Sequence, residues 1–136
     1  MSDLSTKIEE IWSTRDSLDA DDEGANSAIH AAIDLLDTGE ARVAEPATDG
    51  GMVVNEWLKQ AILLLFSQAQ ISTVEVGPFE FADKIPLKTD YASRGVRVVP
   101  GASARWGSYQ GPGVIMMPSY INIGAYVGPN TMVDTW

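Results

Sequence analysis

The chain has no cysteine and only one histidine, His30, among its 136 residues. The absence of cysteine excludes disulfide scaffolds, cysteine-ligated metal sites and thiol nucleophiles. One imidazole cannot supply the two or three histidines that many zinc sites use, so we expect no metal centre. The longest apolar run, 61–66, is too short to cross a bilayer, and the first residues lack the basic and apolar regions of a signal peptide. We therefore expect a cytoplasmic protein.

Basic residues are also scarce, because 9 lysines and arginines stand against 19 aspartates and glutamates. Residues 1–50 hold 13 acidic and 3 basic side chains, whereas residues 51–136 hold 6 of each. The net charge of -10 therefore belongs to the N-terminal segment. Nucleic acids and anionic membrane surfaces attract a surplus of lysine and arginine, so neither is an expected partner.

Two amphipathic helices are predicted in the acidic segment. Apolar residues at three- and four-residue steps predict the first helix over about 3–17. The second is predicted to begin after Asn26 or Ser27 and to end at Gly39, since glycine suits the left-handed position after a helix. We expect His30 to lie on the surface of this helix.

A third helix and two short hairpins are predicted next. Asn55 is expected to cap a helix from Glu56 to about Gln68. This helix is apolar nearly all round, so we expect it to be buried on more than one side. A hairpin using Val43 and Val53 is expected before it. Apolar residues alternate in strand fashion after it: Val74, Val76, Phe79 and Phe81. Residues 1–90 are thus predicted to form a helical domain with short connecting strands.

A six-residue repeat organises the chain from Arg97 onward. Bulky residues recur at this step: Tyr109, Ile115, Ile121, Val127 and Val133. A second series contains only small residues: Gly101, Gly107, Gly113, Ser119, Ala125 and Thr131. With the bulky residues inward and the small ones at tight corners, the two series predict a left-handed parallel β-helix. Three short strands would make one coil of about eighteen residues.

The same phase predicts which side chains face outward. They are the residues that follow the inward ones: Gln110, Met116, Asn122, Gly128 and Asp134. Arg97 falls on an inward, apolar phase, and a broken local rule is a sign of function. Residues 91–136 provide only the first coils, so we expect an incomplete β-helix. The predicted fold class is α+β, and we expect either the front part of a longer protein or completion by another chain.

Seven segments resemble one known family: 35–39, 42–45, 57–59, 83–88, 97–100, 117–127 and 131–136. They are similar to the N-terminal half of the tetrahydrodipicolinate N-succinyltransferase family, which lies in the hexapeptide-repeat acyltransferase superfamily. The long block that ends at Trp136 is the most specific part of the resemblance.

The resemblance implies a homotrimer that moves a succinyl group from succinyl-CoA to the amino group of an acyclic keto-dicarboxylate in lysine and diaminopimelate synthesis. It implies that Arg97 and Asp134 contact this substrate and that Asp134 is catalytic. A guanidinium binds a carboxylate in bidentate fashion, and a carboxylate accepts a proton from an attacking amine. Succinyl-CoA is a co-substrate, so no permanently bound cofactor is expected. No CoA-binding residue is expected in this chain.

Three alternatives remain open from the sequence. Arg97 pairs with an acidic side chain at the domain junction, or Asp134 serves only to form a turn. A third alternative is a non-catalytic trimeric β-helix that assembles or binds other molecules. A β-helical carbonic anhydrase is excluded, because it needs three histidines around zinc and the chain has only His30.

Overall fold

Three helices and eleven short strands build residues 2–136, the part of the chain that a computed structural model describes. The helices are α1 (Ser2–Ser13), α2 (Glu23–Thr38) and α3 (Glu56–Gln68). The first four strands are β1 (Ala44–Pro46), β2 (Met52–Val54), β3 (Ser72–Val76) and β4 (Phe79–Asp83). Seven two-residue strands follow. The predicted α+β class is confirmed.

Helix α1 is shorter than the predicted span of 3–17. It ends at Ser13, and a separate 3-10 turn covers Arg15–Ser17. The Ser13 hydroxyl donates a hydrogen bond to the Glu10 carbonyl at 2.7 Å, so a local side-chain contact competes with the helical ladder at this point. The apolar stripe nevertheless faces the core, and Ile8 is fully buried.

Helix α2 begins earlier than predicted. Its N-cap is Asp22, whose carboxylate accepts the Ala25 N–H at 2.9 Å. The prediction of a start after Asn26 or Ser27 was wrong because the acidic run contains a capping residue. The predicted end is confirmed, since Gly39 has the left-handed φ of 78°.

The helical core is centred on α3, which packs against both α1 and α2. Its buried residues are Leu58, Ala61, Leu64 and Leu65. The prediction of burial on more than one side is confirmed by these contacts, and only the face that carries Leu63, which is 48% exposed, is open. None of the helices in residues 2–136 is long and apolar enough to cross a membrane.

Asn55 stands at the N-cap position of α3, but its side chain does not cap the helix. Its amide group donates instead to the Arg42 carbonyl at 2.7 Å and to Glu45 Oε1 at 3.0 Å. The amide therefore fastens α3 to the hairpin of β1 and β2, in which Glu45 lies opposite Val53. The predicted hairpin forms with Val53 in β2, but Val43 lies just before β1 and outside the strand pair. The predicted role of Asn55 as a side-chain cap is wrong.

The seven remaining strands stack in parallel. They are β5 (Arg97–Val98), β6 (Ser103–Ala104), β7 (Tyr109–Gln110), β8 (Ile115–Met116), β9 (Tyr120–Ile121), β10 (Tyr126–Val127) and β11 (Met132–Val133). The first four of them each pair with the strand three further along, which gives the sheets β5–β8–β11, β6–β9 and β7–β10. Arg97 lies opposite Ile115 and Ile115 opposite Met132, at intervals of 18 and 17 residues. We call residues 96–134 the stacked segment.

The inward phase of the stacked segment differs from the predicted one. Its buried strand residues are Ala104, Gln110, Met116 and Ile121. The step from Met116 to Ile121 is five residues instead of six, so a comparison at a fixed step of six is wrong on one side of it. Gln110 and Met116 therefore face inward rather than outward, and Tyr109 and Ile115 are only partly buried.

Arg97 is affected by the same shift. It pairs in register with Ile115 and not with the buried Met116, and its side chain is exposed. The prediction that Arg97 occupies an inward phase was therefore wrong.

The corners show the same five-residue step. Residues with positive φ mark them: Gly95, Gly101, Gly107, Gly113, Gly124 and Asn130. Ser119, Ala125 and Thr131, which were predicted to be corners, have no positive φ. Pro118 takes the corner between Gly113 and Gly124, since a Cβ on Gly101 would lie 3.7 Å from the Pro118 Cβ.

A buried carboxylate joins the helices to the stacked segment. Asp37, in the last turn of α2, accepts hydrogen bonds from Lys88 Nζ at 2.7 Å, from Arg94 Nη2 at 3.2 Å and from the Gly107 N–H at 2.9 Å. Lys88 also donates to the Ser108 carbonyl. Burial lowers the pKa of Lys88, while the Asp37 carboxylate opposes that change.

Lys88→Met is expected to destabilise the fold strongly. It leaves the Asp37 carboxylate buried without its shortest partner, which costs about 3 kcal/mol in free energy of unfolding. The matched control is Lys59→Met, whose pair with Glu56 is 3.7 Å long and exposed on both sides, and its loss costs at most about 0.5 kcal/mol. Urea unfolding measures both changes. Equal losses in the two variants would contradict the assigned role of Lys88.

Gly107→Ala, compared with Gly101→Ala, is expected to distinguish the steric clash of a new Cβ with its neighbours from the strain of a side chain at positive φ. A Cβ at Gly107 would lie 2.7 Å from Ile33 Cγ2 and 2.8 Å from Ile123 Cγ1. Gly101 has a similar positive φ but nothing closer than 3.7 Å, so Gly101→Ala reports the strain alone. We expect Gly107→Ala to cost about 1–3 kcal/mol more than this control in thermal or urea unfolding. An equal cost would show that helix and corner do not touch there.

Candidate active site

The two predicted site residues lie on the outer face of the same sheet, β5–β8–β11. Arg97 begins β5, and Asp134 directly follows β11 at the other edge. Both residues are exposed. The two residues are separated by two strand spacings across the sheet and by two residues along a strand, so their Cα atoms lie about 12 Å apart. The structure thus brings both residues to one surface without direct contact between them.

Neither the Arg97 nor the Asp134 side chain forms an ion pair within residues 2–136. Arg97 forms no ion pair with any of residues 2–136, so the alternative of a junction pair has no support there. Asp134 Oδ1 accepts the Thr135 N–H at 2.8 Å, which is the local turn contact of the second alternative. This contact occupies one oxygen and leaves the carboxylate exposed.

The surface between the two charged residues is apolar. Ile115 and Met132 lie in register with Arg97 across the sheet, and the Met132 side chain is 57% exposed. Trp136, close to Asp134 in sequence, is 84% exposed. A guanidinium at one edge, a carboxylate at the other and apolar side chains between them suit an organic ligand that carries both a carboxylate and a group able to release a proton.

A second cleft, of about 420 Å³, lies at the junction near His30, Lys88, Arg94 and Trp106. Its charged side chains already bind Asp37, and the Trp106 indole N–H donates to Asp34 at 3.0 Å. His30 is exposed on α2, as predicted, and packs edge-on against Trp106 with ring centroids 5.3 Å apart. We assign this cleft to the packing of helix α2 against the later part of the chain. Within residues 2–136, no three histidine or acidic side chains are grouped to hold a metal ion.

The sequence patterns did not identify the role of Asp37 and Lys88. Each lies in a segment that carries the family resemblance, 35–39 or 83–88, but the two residues are 51 positions apart. No periodic signal connects such a pair. A buried aspartate in the last turn of a helix, where acidic residues are unfavourable, is the one local sign of a special role.

Comparisons with known proteins bear on both the helices and the stacked segment. The family model "Tetrahydrodipicolinate N-succinyltransferase N-terminal" matches residues 3–67. A 2,3,4,5-tetrahydropyridine-2,6-dicarboxylate N-succinyltransferase from Methylorubrum extorquens is 46% identical over 98% of this chain and 51% of its own length. Its counterpart in Acinetobacter baylyi is 46% identical over 100% of this chain and 52% of its own length.

Helices followed by short parallel strands that stack every 17 or 18 residues define an α+β protein with a repetitive C-terminal segment. These sequence matches show that the chain is similar, over nearly its whole length, to the N-terminal half of the tetrahydrodipicolinate N-succinyltransferase family. It spans about half the length of the curated relatives it matches.

Proposed function

We propose that the chain is the amino-substrate half of a tetrahydrodipicolinate N-succinyltransferase of lysine and diaminopimelate biosynthesis. The observation that carries the proposal is the presence of Arg97 and Asp134 on one exposed face, in a chain whose relatives bear this enzyme name. The reaction moves a succinyl group from succinyl-CoA to the amino group of a keto-dicarboxylate. The enzyme works as a cytoplasmic homotrimer.

The proposed architecture is a helical domain over residues 1–90 and the first coils of a left-handed β-helix over residues 91–136. Parallel pairing at intervals of 17 and 18 residues supports it, because a three-stranded coil has about that length. Positive φ at Gly101, Gly107 and Gly113 supports it as well, since corners recur at this step.

Arg97 binds one carboxylate of the substrate in this proposal. Its guanidinium is exposed, free of ion pairs within residues 2–136, and held on a strand rather than on a loop. A bidentate pair would fix both the position and the orientation of the dicarboxylate. Arg97 therefore sets where the amino group of the substrate lies relative to Asp134.

Asp134 accepts the proton that the amine loses. The amine nitrogen attacks the thioester carbonyl, a C–N bond forms, the C–S bond breaks, and the CoA sulfur leaves with the electron pair and is then protonated. The nitrogen must lose a proton in this sequence, and an exposed carboxylate on the substrate-binding face takes it. No protein-bound cofactor takes part.

CoA binding falls outside the chain in this proposal. CoA carries several phosphate charges, whereas residues 51–136 hold six acidic and six basic side chains and offer no cationic surplus. The half of the relatives' length that this chain does not span is the expected source of that site.

A non-catalytic trimeric binding module is the second candidate. The hydrogen bond from the Thr135 N–H to Asp134 favours it, because a turn-forming aspartate needs no chemical role. The stacked segment would fold identically in both cases, so only activity separates the two candidates.

Asp134→Asn is expected to reduce kcat for succinyl transfer by at least about 100-fold, since it removes the proton acceptor. The assay uses a protein that joins this chain to the C-terminal half of its relatives, and light scattering checks that its assembly is unchanged. Asp49→Asn, in the exposed turn between β1 and β2, is the matched control and should retain full activity. Near-normal turnover of Asp134→Asn would refute the catalytic role, and no transfer by the unmodified protein would refute the function.

A further inference from the structure

Two rows of side chains make up the outer face of the β5–β8–β11 sheet. The inner face is formed by three residues that lie in register and belong to one hydrophobic cluster: Val98, Met116 and Val133. Because side chains alternate along a strand, the residues on either side of these three point outward. The first outer row is Arg97, Ile115 and Met132, and the second is Val99, Met117 and Asp134.

Backbone hydrogen bonds fix the register of the second row. The Met117 N–H donates to the Val133 carbonyl at 2.9 Å. Further along, the Trp136 N–H donates to the Pro118 carbonyl at 3.2 Å, so the pairing of the two chain segments continues past Asp134. Met117 therefore lies directly beside Asp134, one strand spacing away.

The line from Arg97 to Asp134 crosses the middle strand between two apolar side chains. Arg97 and Asp134 stand at opposite corners of the two rows, whereas Ile115 and Met117 occupy the centres of the rows. Ile115 is the neighbour of Arg97, and Met117 is the neighbour of Asp134. Both are half-buried, so part of each side chain is open to a ligand. An elongated ligand that reaches both charged groups therefore lies over Ile115 and Met117.

The uncharged positions of the two rows are all apolar: Val99, Ile115, Met117 and Met132. The ends of an amino dicarboxylate meet Arg97 and Asp134, while its middle meets hydrocarbon and thioether groups. A polar group in the middle of the ligand would give up hydrogen bonds to water and gain none from these side chains. The face thus suits a dicarboxylate whose middle carbon atoms carry only hydrogen.

We propose that Ile115 and Met117 form the floor under the carbon chain of the substrate, and that Met117 is a specificity-determining residue that selects an unsubstituted chain. This inference rests on the proposed succinyltransferase site and deepens it, because it names what the site recognises between the two charged ends. Met117 is the sharper position for a test. It lies next to Asp134, and its unbranched side chain has polar and apolar replacements of similar size.

Ligand binding tests the floor without relying on turnover. The two ligands are 2-aminoheptanedioate and its 4-hydroxy derivative, which adds one hydroxyl group to the central carbon. Calorimetry measures the Kd of each for the protein that joins this chain to the C-terminal half of its relatives. The unmodified protein is expected to bind 2-aminoheptanedioate at least about fivefold more tightly than the derivative, because the added hydroxyl has no partner on the floor.

Met117→Gln is expected to remove this preference. Glutamine has nearly the shape of methionine and offers an amide group to the hydroxyl, so the ratio of the two Kd values should fall to about one. Ile115→Thr is a second polar change in the floor and should lower the ratio as well. Met117→Leu keeps the floor apolar and should retain the ratio of the unmodified protein.

Met52→Gln is the matched control, because Met52 is 63% exposed on β2, and it should change neither Kd. A general loss of folded protein would weaken the binding of both ligands alike, so the ratio of the Kd values reports recognition alone. A ratio of about one in the unmodified protein would overturn the inference. So would a ratio that both Met117→Gln and Ile115→Thr leave unchanged, or a lack of binding of either ligand by the unmodified protein.

The inference and the proposed function fail separately. Succinyl transfer by an unmodified protein that does not discriminate between the two ligands would refute the floor and leave the function standing. Binding with the expected ratios, in a protein that transfers no succinyl group, would refute the function and leave the floor standing.

Discussion

The structure depends on one buried carboxylate, that of Asp37. A charge in this position is costly unless it is paired and fully hydrogen-bonded, and Lys88, Arg94 and the Gly107 N–H provide those partners. The three partners come from separate parts of the chain after the helices. Lys88 and Arg94 precede the stacked segment and Gly107 lies within it, so the network holds helix α2 against both parts of the chain.

Smaller contacts follow from that arrangement. Gly107 lies against Ile33, and the Arg42 guanidinium lies over the Tyr126 ring at 3.4 Å from its centroid. These contacts hold the helices on one side of the stacked segment. The outer face of β5–β8–β11 stays open as a result, and it carries Arg97 and Asp134. The fold thus keeps a structural ionic site separate from the exposed charged residues that we propose bind substrate.

Sequence patterns predicted the features that neighbouring residues determine, and they did not predict the contacts between residues far apart in the chain. The left-handed glycine at Gly39 and the hexad spacing both have direct sequence signatures, and both appear in the structure. The inward phase was misassigned because a single five-residue step at Met116–Ile121 shifts every position on one side of it. The Asp37–Lys88 pair had no signature, since a tertiary contact over 51 residues leaves no period in the sequence. Arg97 and Asp134 were singled out by resemblance, and strand register then placed them on one face.

The most direct test of this account is native-state hydrogen exchange at the Gly107 amide, which donates to Asp37 Oδ1. If the Asp37 network joins helices and stacked segment into one cooperative unit, this amide should exchange with the same opening free energy as the buried centre of α2, and Lys88→Met should lower both together. Exchange of Gly107 at a lower free energy than α2, or a loss of protection confined to the stacked segment in Lys88→Met, would contradict it.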